Sequence, residues 1–149
     1  MYAMFYGDSS LNGDVSSWDV SSVTDMYAMF YNACSFNGAI STWNVWSVTN
    51  MGDMFGGASS FNGNVTSWNV SSVTDMGHIS NGASSFNGDV STWDVSIVTV
   101  MMSMFYNFSF FNTAMWVDGI YWALRTRGTC STVLHPSTAT SVAETCQSL

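Results

Sequence analysis

The sequence contains no lysine and only two arginines, Arg125 and Arg127, against ten acidic residues, for a net charge of −8. Such a chain repels phosphate backbones and anionic headgroups, which argues against nucleic-acid binding and electrostatic attachment to a membrane surface. No apolar run approaches the roughly 18 residues of a membrane-crossing helix, so no membrane span is expected. The two histidines, His78 and His135, stand at no spacing to a cysteine, serine or acid that would build a catalytic triad, and the chain reads as a non-enzyme. Charged residues make up only 8%, yet the chain is not of the disordered class, because 47% is apolar and 15% aromatic. Serine, threonine and asparagine, 51 of the 149 residues, supply the solubility that lysine and glutamate usually provide. The length suits one modest domain.

What is present is a repeat. Residues 1–25, 26–50, 51–75 and 76–100 align without a gap, and a fifth unit begins in register at Met101 before losing it. Large apolar residues recur at Met1, Met26, Met51, Met76 and Met101, at Leu11, Phe36, Phe61 and Phe86, and at Val15, Ile40, Val65 and Val90. They recur again at Trp18, Trp43, Trp68 and Trp93 and at the valines two and five residues beyond each Trp. These columns are the expected core. The run after Thr24, Thr-Asp-Met-x-x-Met-Phe, has the capped i, i+3, i+4 spacing of a short helical turn. The segment from Val15 to Val20 alternates apolar and polar residues like a short strand, and Asn12-Gly13 with its counterparts marks a tight turn between the two. One unit cannot bury both its ridges alone, whereas stacked units can, with strands in parallel about 4.8 Å apart. The expected fold is an α/β repeat, a short right-handed solenoid with one parallel strand and one short helical turn per coil over residues 1–118. Residues 119–149 are expected to be a degenerate C-terminal cap or a disordered tail.

The polar columns admit few site chemistries. Asn12, Asn37, Asn62, Asn87 and Asn112 are read as a structural column at an inner turn, pairing backbone groups of their own and the adjacent coil. Asp14, Asn64 and Asp89, then Asp19, Asn44, Asn69 and Asp94, then Asp25, Asn50 and Asp75 form stacked oxygen columns of the kind that suits calcium. Their alternation of Asp with Asn relieves repulsion along a ladder equally well, and no metal or cofactor is assigned. His78 takes a column otherwise held by Ala3, Ala28, Asp53 and Ser103 and is read as solvent-facing. Cys34, in a serine column, is read as a small residue at a buried edge. Cys130 and Cys146 are spaced to close a loop in the tail, and sequons occur at Asn64, Asn69 and Asn107.

The string Phe-Asn-Gly-Asp-Val-Ser-Thr-Trp-Asp-Val-Ser-x-Val-Thr at 86–99 and the link Val-Thr-Asp-Met-x-x-Met-Phe at 23–30 resemble the BspA-type leucine-rich-repeat surface proteins of bacteria and protists, over about residues 1–115. The resemblance implies a leucine-rich-repeat-like solenoid on a secreted or surface-anchored protein associated with adhesion, and it transfers no catalytic residue. Unit 4 departs from the pattern, with Ser80 in place of a core phenylalanine, so looser packing is expected there. Because Met1 opens a unit, the chain reads as a fragment or truncated member.

The resulting expectation is a non-enzymatic extracellular or cell-surface binding or adhesion module. The outward positions flanking Trp and Val form its tentative binding face, above all Asp19, Thr42, Asn44, Trp46, Asn69, Thr92 and Asp94. Trp46 stands where the other units have serine, and an exposed indole on a polar face is the residue that would contact a protein or glycan ligand on another cell or matrix. The alternative for Trp46 is that it covers a neighbouring coil. The alternative for the whole chain is a structural spacer or filament-forming repeat that self-associates through open solenoid ends. A third reading, an ice-binding face, is weakened by the Asp, Asn and Trp46 in it.

Overall fold

In the computed structural model, which describes residues 1–106, successive 25-residue coils lie on one another in parallel register. The contact is a backbone ladder on the Met-x-x-Met-Phe side. Met26, Ala28, Phe30 and Asn32 donate their N–H groups to Asn50, Gly52, Met54 and Gly56 of the following coil at 2.7–2.9 Å. The residues between them bond within their own coil: Met29 donates to Met26, Tyr31 to Ala28 and Ala33 to Phe30. The Tyr27 N–H is taken by Asp25 Oδ1 at 2.9 Å. Alternate residues thus serve the neighbour and the local turn, which satisfies the backbone donors and acceptors along the segment, as burial requires.

That alternation differs from the helical turn expected after Thr24. A helix would send every N–H to the carbonyl four residues back in the same segment, and here every second one is committed to the next coil. The chain changes direction by taking left-handed φ at the third position of each unit, Ala3 (47°), Ala28 (51°), Asp53 (55°), His78 (55°) and Ser103 (48°). It does so again four residues later, at Gly7, Asn32, Gly57 and Gly82. A non-glycine residue in this region costs about 1–2 kcal/mol, and the bonds made to both sides of each such residue hold it there. Among the described residues there is no helix, and pairing of strand type is confined to isolated parallel bridges joining Asp25, Asn50, Asp75 and Val100.

The Val15–Val20 segment likewise forms two consecutive tight turns, with Trp18 donating to Val15 and Val23 to Val20. Coils are joined on this side chiefly by side chains. The Nε1–H groups of Trp43, Trp68 and Trp93 donate to the carbonyls of Val15, Ile40 and Val65 in the preceding coil at 3.0, 3.0 and 3.2 Å. Thr49, Thr74 and Thr99 each send both N–H and Oγ1 to the carbonyl of the equivalent threonine one coil earlier.

Between the two sides lies the core. Coils 2 and 3 each contribute an aromatic layer: Phe30 stacks on Phe36 and neighbours Trp43, and Phe55 does the same with Phe61 and Trp68. The layers stack in turn, with Phe5, Phe30 and Phe55 at 5.6 Å centroid steps and Trp68 on Trp93 at 6.4 Å. The methionines of columns one and four are fully buried from coil 2 onward. In coil 1 the residues Met1, Phe5, Leu11, Trp18 and Val23 are only partly buried, because one described coil covers them where two cover the others. The segment 119–149, with Cys130, Cys146 and His135, and the sequon at Asn107 lie outside the described residues.

Ser80 interrupts the phenylalanine column between Phe55 and Phe105, and it is buried. Its ladder bond to Met104 is stretched to 3.3 Å, against 2.9 and 2.7 Å for Phe30 and Phe55, and its hydroxyl donates to the same carbonyl at 2.8 Å. Ser80→Phe is expected to extend the ring stack and raise stability by about 1–3 kcal/mol. Ser80→Ala, which removes only the hydroxyl bond, should lower it by about 1 kcal/mol. Urea unfolding of the two variants checks both signs, and a less stable Ser80→Phe would mean that the coil spacing has already closed around serine.

Candidate binding face

The positions named from the sequence lie on the tryptophan side: Thr42, Trp46 and Thr92 within the tight turns, and Asp19, Asn44, Asn69 and Asp94 at the junction between the two turns of a coil. Asp19, Asn44, Asn69 and Asp94 are all exposed, and each uses Oδ1 to accept the backbone N–H two residues on, from Ser21, Trp46, Ser71 and Ser96. This is the Asx turn, for which Asp and Asn are equally suited. Asp14, Asn64 and Asp89 do the same for Ser16, Thr66 and Ser91, and Asp25, Asn50 and Asp75 for Tyr27, Gly52 and Gly77. The three oxygen columns that suggested calcium are therefore turn columns. Among the described residues no three His, Cys, Asp or Glu side chains converge as metal ligands would.

Thr42 and Thr92 are exposed but tethered: their hydroxyls donate to the carbonyls of Ser16 and Thr66 in the preceding coil at 2.9 and 2.7 Å. Ser67 and Ser47 bind Ser41 and Ser21 in the same manner. Trp46 differs from all of these. Its side chain is 58% exposed and its indole has no bonding partner among the described residues, where the indoles of Trp43, Trp68 and Trp93 are buried and bonded.

The asparagine column lies at an exposed edge of the stack, which corrects the inner position expected for it. Its bonding is between coils, the N–H of Asn37, Asn62 and Asn87 meeting Oδ1 of Asn12, Asn37 and Asn62 at 3.2, 2.9 and 2.9 Å. Cys34 is exposed too, its thiol near the carbonyls of Asn32 and Gly57, because the serine column it occupies sits on the rim and not at a buried edge. His78 is half-buried, and its column is set by the left-handed backbone rather than by exposure.

A second exposed group was missed from the sequence. Tyr2 stacks on Tyr27 at 5.2 Å and Tyr6 on Tyr31 at 4.8 Å, on the outer side of the backbone ladder. The charge of Asp53, which also accepts a hydrogen bond from it, raises the Tyr27 phenol above its usual range. The signal for this group was glycine: a Cβ at Gly52 would lie 3.2 Å from the Tyr27 ring, and one at Gly56 2.8 Å from Tyr31. Tyrosine followed by glycine one period later marks a ring lying across the next coil.

These features define a repeat protein of stacked 25-residue coils, with polar turn columns on its surface and the exposed Trp46 indole among them. The chain belongs to the family described as Mycoplasma protein of unknown function, DUF285, whose model matches residues 1–118. Neither a curated protein nor a solved structure matches it. No helix of the described residues is long and apolar enough to cross a membrane.

The Asx turns carry a pH dependence. The Ser16, Ser21 and Ser96 hydroxyls and then their N–H groups hold Asp14, Asp19 and Asp94 below the ordinary value of 3.8, and for Asp89 the Ser91 N–H contributes most. A lowered native pKa contributes stability that is complete above the unfolded value and lost as pH falls through the native one. Replacing all four by Asn keeps the acceptor oxygen and removes the titration. The unfolding midpoint of the parent is therefore expected to fall relative to this variant as pH drops below 3.8, as read from urea curves across the acid range. Parallel curves would show that the carboxylates do not titrate in the turns.

Proposed function

We propose that this chain is a non-enzymatic extracellular or cell-surface binding module, a leucine-rich-repeat-like solenoid of the BspA type that presents the tryptophan-side turns to a protein or glycan ligand on another cell or matrix. The observation that carries the reading is Trp46. Every other residue of its column is serine, the surrounding hydroxyls and carboxamides are held in fixed positions by turn and inter-coil bonds, and the indole is left exposed on that rigid polar ground. Exposed aromatic residues amid preorganised polar groups are where binding energy concentrates. Asp19, Asn44, Asn69 and Asp94 flank it with one carboxylate oxygen or amide nitrogen still available beyond the turn bond. The register of Met-x-x-Met-Phe and Trp-Asp/Asn-Val landmarks supports the surface-protein resemblance, and with it a secreted or cell-surface location.

Trp46→Ser gives the residue present at 21, 71 and 96, so the fold is expected to persist. Binding of the full chain and this variant to a glycan array and to immobilised matrix proteins tests the reading. Loss of about 2 kcal/mol or more of affinity, roughly thirtyfold, is expected on whichever ligand the parent binds. No binding by the parent, or equal binding by the variant, would favour the spacer reading.

A further inference from the structure

The asparagine edge has a chemistry of its own. Asparagine followed by glycine is the dipeptide most prone to cyclise, because a glycine nitrogen, once deprotonated, reaches the preceding side-chain Cγ without hindrance from a Cβ. The new C–N bond expels ammonia and leaves a succinimide, and water opens that ring to aspartate or isoaspartate. Five Asn-Gly pairs fall within the described residues, at 12–13, 37–38, 62–63, 81–82 and 87–88, and their surroundings differ. The Gly82 nitrogen is engaged, donating to Tyr106 in the ladder at 3.0 Å. Gly38, Gly63 and Gly88 lie against a phenylalanine two residues earlier, so closely that a Cβ would come within 2.7–2.8 Å of the ring. In coil 1 the corresponding residue is Leu11, and a Cβ at Gly13 would meet nothing within 4 Å beyond its chain neighbours. The N–H groups of Gly13, Gly38, Gly63 and Gly88 alike form no hydrogen bond among the described residues, so what distinguishes Gly13 is the open space beside it. The Asn12 Oδ1 contact is also the longest of the column, 3.2 Å against 2.9 Å for Asn37 and Asn62.

We propose that Asn12–Gly13 is a site of spontaneous succinimide formation, with isoaspartate and aspartate as its products, while the equivalent pairs packed against a phenylalanine are protected. Isoaspartate routes the main chain through the side chain, adding one carbon to the coil and turning the oxygen that accepts from Asn37 into a main-chain carbonyl, displaced from its place at the edge. The modification therefore loosens the edge between coils 1 and 2 and adds a negative charge to an already acidic chain.

Ageing the purified full chain at mildly alkaline pH, followed by chymotryptic peptide mapping and isoaspartyl methyltransferase labelling, measures each site. In the folded chain Asn12 is expected to convert roughly tenfold faster than Asn37 or Asn62, as for a position whose local opening is less costly. The three rates should converge in urea, and Asn81 should convert slowly until the chain unfolds. Leu11→Phe, which supplies the ring present in the other coils, should slow Asn12, and Gly13→Ala, for which there is space, should slow it further. Equal rates at Asn12, Asn37 and Asn62 in the folded chain would overturn the proposal. So would an Asn12 that converts only in urea, or a folded Leu11→Phe variant that converts as fast as the parent.

Discussion

The structure depends on one constraint, that every second N–H of the Met-x-x-Met-Phe segment is given to the next coil and the others to the segment's own turns. This sets the polarity of the stack, since each coil donates forward along one ladder. It fixes the register at one unit, because a shift of one residue would exchange forward-facing and inward-facing groups. It also demands the left-handed residue at the third position of every unit, where alanine, aspartate, histidine and serine all occur. The side chain matters little there because the backbone is held from both sides.

On the opposite side, where the chain forms consecutive turns, the backbone offers few inter-coil bonds, and side chains take their place. Indole and hydroxyl groups reach back to carbonyls 25 to 28 residues earlier, and asparagine side-chain oxygens accept from the N–H of the coil that follows. This explains the unusual composition. Serine, threonine, asparagine and aspartate are abundant because they can act as short extensions of the backbone, and charge can be scarce because the surface is already polar. It also sorts the surface for function: a side chain with a structural bond in every coil is part of the scaffold, whereas Trp46 is a departure from its column and has no such bond.

Identity columns and backbone conformation were not equally legible. The period, the unit boundaries and the core columns followed from the sequence, since burial repeats with the period whatever the local conformation. The helical turn and the strand did not follow. Apolar spacing of i, i+3, i+4 describes which side chains face inward, and a pair of linked tight turns with a left-handed residue between them satisfies that spacing as well as a helix does. Trp-Asp-Val alternation is equally compatible with an extended segment and with two Asx-braced turns. Of the proposed binding face, the exposure of the outward columns was legible from their alternation with Trp and Val. The tyrosine pairs were not, because their partners in the column are glycines, which register in a sequence as turns rather than as floors for a ring.

The sequence by itself determined that this protein is a 25-residue repeat, which residues are core, and that Trp46 departs from the serine column it occupies, because repetition aligns equivalent environments without any coordinates. Only the tertiary structure decided where each backbone hydrogen bond goes. It showed that the Asp and Asn columns brace turns, that the asparagine column is an exposed edge, and that Ser80 stays buried with its hydroxyl on a neighbour's carbonyl. The physical reason is that these partners lie one coil away, some 25 residues along the chain, and which of several local conformations a segment adopts is settled by the groups its neighbour presents to it.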